Sequence, residues 1–268
     1  MKPGAALVVL ATLLAACAGA PKPNPVAQRA ETEMRRGAQA YARDELGAAR
    51  RAYESAARIY ESVADAKGRT RARLNLARVE AASGHTASAL AALEALLAES
   101  GGMAPELAIL AYGRAAAMAL SLGRHERAGL LLQAARTSCA GTCPEHVALE
   151  VIEARRLLAA GQSEAALARS DASLAGLRDD SADRADVLRI RGAALITLAR
   201  AADAADSVRA ALTLDQARGQ ADAVAADLVL LARAHAALGD TDLAARYREQ
   251  ADRARAARQA LLGLDKVE

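Results

Sequence analysis

The stretch LNLARVEAASGHTASALAALEALL, residues 74–97, decides the fold of this chain. Its apolar residues recur at helical spacing on both sides of Gly84: Leu74, Leu76 and Val79 before it, and Leu90, Leu93 and Leu97 after it. A glycine can end the first helix by adopting the left-handed conformation, and a short turn then makes the two helices antiparallel. The stretch therefore predicts a helical hairpin.

This hairpin is one of six that can be aligned from residue 30 onward. A small residue recurs at Gly37, Ala77, Ala116, Ala154, Gly192 and Ala232. A turn position follows seven residues later, at Asp44, Gly84, Gly123, Gly161, Ala199 and Gly239. Alanine follows twelve residues after each small residue, at Ala49, Ala89, Ala128, Ala166, Ala204 and Ala244. We call the six turn residues the turn column and the two sets of small residues the small columns. Alanine is abundant in this chain, so the turn column is the stronger evidence for a repeat. Together the columns predict six pairs of helices that cross through small side chains.

Composition also favours an all-α fold. The chain has 268 residues, of which 53% are hydrophobic, yet it has no Trp and no Phe. Sheets are usually filled by β-branched and aromatic residues, so a core made mostly of alanine and leucine favours closely packed helices. The formal net charge is only +3, which gives no reason to expect binding to nucleic acid.

The aligned columns resemble the tetratricopeptide repeat over roughly residues 30–258. The closest agreements are Leu76-Ala77, Leu231-Ala232, the turn glycines and Tyr53 at the aromatic position. The first-helix tryptophan is missing, Ser170 and Arg248 replace aromatics, and successive alanines are 38 to 40 residues apart, whereas the family standard is about 34. The resemblance implies a right-handed α-solenoid of about six antiparallel helix pairs with a C-terminal cap, at 259–268. The alternative is a generic helical bundle whose register is accidental.

The amino terminus resembles a bacterial lipoprotein signal. Lys2 is followed by an apolar run of about ten residues, too short to span a bilayer, and then by Leu14-Ala15-Ala16-Cys17. The resemblance implies that residues 1–16 are a signal peptide, cleaved between Ala16 and Cys17, and that Cys17 carries the acyl chains of a lipid anchor. We expect residues 17–29 to form a proline-rich linker. The alternative is an ordinary cleaved signal with a coincidental cysteine.

The sequence offers little chemistry beyond the anchor. Cys139 and Cys143 form a candidate disulfide, although free thiols or a metal or redox site are alternatives. The four histidines are scattered, and common phosphate-loop, nucleophile-elbow and zinc-protease motifs are absent from the sequence. We therefore expect no cofactor, no metal site and no enzymatic activity.

The tetratricopeptide resemblance also implies a partner-binding groove on the inward face of the first helices. Carried over by offset, its positions are Met34, Tyr41, Leu74, Arg78, Leu120, Val151, Arg155, Arg189, Ile196, Val229 and Arg233. Apolar residues with spaced arginines suit a peptide that has hydrophobic anchors and carboxylates. Alternatively, these arginines only keep an exposed helix soluble.

Three functions follow as hypotheses. The first is a non-enzymatic scaffold, anchored by lipid to the outer membrane and facing the periplasm, that recruits periplasmic or outer-membrane proteins or their peptide segments. The lipoprotein resemblance implies the outer membrane, because an aspartate after the cysteine would indicate retention in the inner membrane and position 18 is alanine. The second is a pilotin-like factor for secretin and type IV pilus assembly. The third is an envelope enzyme or small-ligand receptor.

Overall fold

The computed structural model describes residues 24–99, 103–139 and 143–264, and these ranges contain twelve α-helices and no strand. The helices are α1 (Pro25–Ala42), α2 (Leu46–Ser62), α3 (Ala66–Ala82), α4 (Thr86–Glu99), α5 (Pro105–Ser121), α6 (His125–Cys139), α7 (His146–Ala159), α8 (Ser163–Leu174), α9 (Ala182–Thr197), α10 (Ala201–Ala217), α11 (Ala221–Ala237) and α12 (Thr241–Leu264). The predicted all-α fold is therefore confirmed.

The helices belong to two compact units that divide between Val79 and Glu80. Unit 1 contains α1, α2 and most of α3, and unit 2 contains the end of α3 and α4 to α12. In unit 2, α5 packs on α6, α7 on α8, α9 on α10 and α11 on α12, and each of these pairs also contacts the next along the chain. Short turns make the helices of a pair antiparallel, as in an α-solenoid.

The predicted turn column has one backbone conformation throughout. All six of its residues have positive φ, between 57° and 88°, including Asp44 and Ala199, which are not glycine. The N–H after each turn residue donates to the carbonyl five residues earlier, as from Arg200 to Leu195 and from Asp240 to His235, both at 2.9 Å. This is the long hydrogen bond of the Schellman motif. Ala64 and Gly219 end helices in the same way between pairs.

The two small-residue columns lie where helices cross. All twelve of their residues are buried. A Cβ at Gly37 would lie 2.8 Å from Cε1 of Tyr53, and a Cβ at Gly192 would collide with Val208. The prediction that these positions admit only small side chains is therefore confirmed by the packing.

Two helix ends differ from the expected boundaries. The linker was expected to continue to residue 29, but α1 begins at Pro25, because proline is favourable in the first helical turn and Asn24 caps the helix by accepting the Val26 N–H at 2.9 Å. Helix α12 continues from Thr241 to Leu264 without a break, so residues 259–264 of the predicted cap belong to this helix. The predicted signal peptide and Cys17 lie outside the described residues.

We expect Ala199→Gly to raise the free energy of unfolding by about 1 kcal/mol, because alanine is strained in the left-handed conformation and glycine is not. Ala199 is exposed, so the lost methyl group costs little packing. Urea denaturation of the variant beside Ala210→Gly, an exposed position inside α10, measures the effect. Ala210→Gly should instead lose about 0.5 to 1 kcal/mol. Equal losses in both variants would contradict the role given to the turn.

Candidate functional surface

In three of the six pairs, an exposed arginine follows the buried small residue of the first helix. Arg78, Arg155 and Arg233 each follow a small-column alanine by one residue and are exposed. The same position in the other three pairs is occupied by Ala38, Ala117 and Ala193. Arginine therefore alternates with alanine from one pair to the next. Arg78, Arg155 and Arg233 are among the predicted groove positions, and the structure leaves all three exposed.

Part of the predicted groove lies in the core. Met34, Leu74 and Val151 are only 7%, 2% and 5% exposed, so they pack between helices and are not available to a partner. Four other positions of the predicted groove are partly buried: Tyr41, Leu120, Ile196 and Val229. The exposed face is consequently more polar than the sequence suggested.

In unit 1, α1 and α3 meet through two polar contacts. The guanidinium carbon of Arg78 lies 4.5 Å from the centre of the Tyr41 ring, a cation–π contact. Nη1 of Arg71 lies 2.9 Å from Oε1 of Glu31, which also accepts the Tyr60 hydroxyl at 2.6 Å. The Tyr60 hydrogen bond and the Arg71 guanidinium lower the pKa of Glu31 despite partial burial, and burial raises the pKa of Tyr60. Glu31 is therefore a carboxylate at neutral pH.

In unit 2, Arg189 is not available to a partner because it is enclosed by carboxylates of its own chain. Its Nη1 lies 2.6 Å from Oδ1 of Asp186, its Nε lies 2.7 Å from Oδ1 of Asp227, and its Nη2 contacts Asp215. Arg155 adds a second guanidinium at 3.0 Å from Asp186. Arg189 was predicted to bind a partner's carboxylates, but it joins α9 to α10 and α11.

Asp227 is the most deeply buried carboxyl of this cluster, with no solvent exposure. Burial raises its pKa to about 6, and the neighbouring Asp215 also raises it, whereas Arg189 acts in the opposite direction. The cluster holds three carboxyls against two guanidinium groups. Protonation of one carboxyl would make the cluster neutral, so the charge of Asp215 acts in the same direction as the burial of Asp227.

An open groove of about 660 Å³ lies between α7 and α8. Exposed Ala165, Ala168 and Ala172 form one side, and Glu150 on the other side is held by Arg136 at 3.1 Å and by Arg169. Burial opposes ionisation of Glu150, but the two guanidinium groups outweigh it and lower its pKa.

The same groove contains His146 and Ser173, but they do not form a catalytic arrangement. Ser173 donates its hydroxyl to the carbonyl of Arg169 in its own helix, at 2.9 Å. Glu150 is occupied by its two arginines and does not orient His146. A nucleophile activated by a base needs hydrogen bonds that link these groups, which the described contacts do not provide.

Cys139 and Cys143 form a disulfide, with their Cα atoms 5.6 Å apart. It links the last residue of α6 to the segment that leads into α7. In residues 24–99, 103–139 and 143–264, no group of three or more His, Cys, Asp and Glu side chains could hold a metal ion. In those ranges, too, no helix has the length and apolar character needed to cross a membrane.

Comparison with known proteins identifies a fold but not a family. No protein-family model matches the chain, and no curated protein matches it. The chain is similar to the crystal structure of BtubC (BKLC) from P. vanneervenii, with 18% identity and a TM-score of 0.58 over 88% of this chain and 93% of that one. The TPR2AB domain of yeast Sti1, in its pHSP90 complex, matches at 16% identity over 86% of this chain and 95% of that one, but its TM-score of 0.36 adds no support.

The chain is thus an all-α protein of antiparallel helix pairs with regularly spaced left-handed turns, and its fold is similar to that of BtubC. Solenoids of stacked helix pairs present extended surfaces. What this particular chain binds has to be inferred from its own surface.

Proposed function

We propose that this protein is a non-enzymatic adaptor, anchored by lipid at Cys17 to the outer membrane and facing the periplasm, that holds envelope proteins through the exposed face of the first helices of unit 2, which carries Arg155 and Arg233. The observation that carries the binding role is the exposure, in unit 2, of Arg155 and Arg233, each next to a buried small residue at a helix crossing. Guanidinium groups on a rigid helix can recognise carboxylates with defined geometry. Support for the anchor comes from the sequence around Cys17 alone.

Tethering explains why an adaptor of this kind needs no large pocket. Confining two partners to a thin layer beside one membrane raises their effective concentration, so modest contacts along a helix face are sufficient. The oxidising periplasm also suits the disulfide between Cys139 and Cys143.

Site-specific photocrosslinking in cells tests the binding role. A photoreactive residue at Arg155 or Arg233 should yield discrete crosslinked proteins. The same residue at Arg209, which is exposed on the second helix α10, serves as the control. Identical products at all three positions, or none at Arg155 and Arg233, would reject the first-helix face as the binding surface.

The anchor is tested separately with Cys17→Ser. We expect this variant to lose palmitate labelling and to leave the outer-membrane fraction. An unmodified Cys17 in the mature wild-type protein would exclude the anchor. In a strain that lacks the protein, loss of secretin multimers would define the recruited partner as a secretin and the role as pilotin-like, whereas normal multimers would exclude that role.

A further inference from the structure

Positive charge is concentrated in unit 1. Residues 24–79 contain twelve Arg and Lys and seven Asp and Glu, a net charge of +5. Residues 80–264 contain twenty Arg and Lys and 23 Asp and Glu, a net charge of −3. An overall charge near zero therefore conceals a basic first unit, whose field attracts negatively charged groups.

Part of this charge follows one face of α3. Lys67, Arg71 and Arg78 are separated by four and seven residues, a spacing that places them on the same side of a helix. Arg71 contacts Glu31 and Arg78 contacts Tyr41, and both partners are on α1. The basic face of α3 therefore adjoins α1.

Helix α1 adds a further cation at this junction. Arg35 is exposed, lies one helical turn after Glu31, and is close enough that its charge contributes to the lowered pKa of Glu31. We define the α1–α3 basic seam as Arg35, Lys67, Arg71 and Arg78 together with Glu31. These residues carry a net charge of +3, and the side chain of Arg71 is still 43% exposed although it is ion-paired.

The length of the seam indicates the shape of its ligand. Lys67 and Arg78 are eleven residues apart on α3, about 16 Å along the helix axis. An extended peptide covers this distance with about five residues. Arginine binds carboxylates bidentately, and a multivalent acidic segment could displace the single Glu31 contact of Arg71.

We propose that the α1–α3 basic seam binds an extended acidic segment of a partner protein, with carboxylates set against Arg71 and Arg78. This inference rests on the adaptor function proposed above and names the chemistry of one of its partners. The seam is exposed and positively charged, so an acidic segment is complementary to it in charge. Unit 2, in contrast, carries a net negative charge.

Binding of a labelled acidic peptide to the full chain in detergent tests the seam. The probe is a fluorescein-labelled peptide of about ten residues in which glutamate alternates with serine, and the control peptide has glutamine at each glutamate. The key variant is Arg71→Gln/Arg78→Gln. The matched control is Arg51→Gln/Arg58→Gln, which changes the net charge equally at two exposed positions of α2.

We expect fluorescence anisotropy to show that Arg71→Gln/Arg78→Gln weakens binding at least about tenfold and that Arg51→Gln/Arg58→Gln weakens it less than about twofold. Arg71→Lys/Arg78→Lys, which keeps the charge but loses bidentate pairing, should lie between them. Equal weakening by the two glutamine variants would overturn the inference, because general attraction to a basic unit would then account for the binding. Equal binding of the glutamine peptide would overturn it as well.

Failure of this inference is distinguishable from failure of the adaptor function. If a crosslinked partner is recovered equally well with Arg71→Gln/Arg78→Gln, the seam is not its acidic-segment site, yet the adaptor function stands. If the seam binds the acidic peptide selectively but no partner is crosslinked at any first-helix position, the adaptor function fails and the seam remains a binding site.

Discussion

Replacing Arg189 with leucine is expected to lower the free energy of unfolding by about 3 to 5 kcal/mol at neutral pH. The guanidinium holds Asp227, which is fully buried, and Asp215, which is 4% exposed. Without it these two carboxyls remain in the interior without their cation. Breaking a buried ion pair by removing one partner is strongly destabilising because the remaining charge is not compensated.

Arg209→Leu is the matched control for this experiment. Nη1 of Arg209 lies 2.7 Å from Oδ1 of Asp206, but the two side chains are 51% and 79% exposed. An ion pair in water contributes at most about 1 kcal/mol, so this variant should remain close to the wild type in urea denaturation. Comparable losses for the two variants would show that Arg189 does not hold α9, α10 and α11 together.

Asp227→Asn is expected to make the protein more stable than the wild type at about pH 7.5, by up to about 3 kcal/mol. The folded-state pKa of Asp227 is about 6, above the ordinary value of 3.8. Between these two values the folded state holds a proton that the unfolded state releases. The stabilisation is therefore fully present only below the ordinary pKa of 3.8 and is lost as the pH rises from there through about 6. Asparagine never ionises and avoids this loss.

The measurement is urea denaturation of the wild type and Asp227→Asn across the range from about pH 4 to pH 7.5. The difference between them should be small at the acidic end and grow toward neutral pH. Asp206→Asn, at an exposed position, should follow the wild type at every pH. A difference between the wild type and Asp227→Asn that stays constant with pH would mean that Asp227 does not titrate in this range.

The turns and the helix crossings were predictable because each of them depends on the type of residue at one position. A left-handed residue is needed wherever a helix ends in this type of turn, so glycine marks four of the six positions and the offset identifies Asp44 and Ala199 as the other two. The small columns were predictable for a similar reason, because a larger side chain at Gly192 would meet Val208. The sequence therefore predicted the order of the helices and the pairing of α1 with α2, α5 with α6, α7 with α8, α9 with α10 and α11 with α12.

The candidate surface was less predictable because it depends on how far each helix is rotated about its own axis. The offsets came from a family with shorter repeats, and a small rotation takes Leu74 or Val151 from the open face into the core. Asp215 and Asp227 were missed for another reason. Nothing local in the sequence indicates that a carboxyl in α11 will meet a guanidinium 38 residues earlier.

The hydrogen-bonded turns also have a consequence for how the chain folds. Each is closed over five residues, and most helix contacts in unit 2 join neighbours along the chain, so the mean sequence separation of contacting residues is small. Proteins with such low contact order fold quickly, within microseconds to milliseconds in small helical examples. A nascent chain of this kind can nucleate at any hairpin and grow in either direction, so it need not be complete before ordering begins.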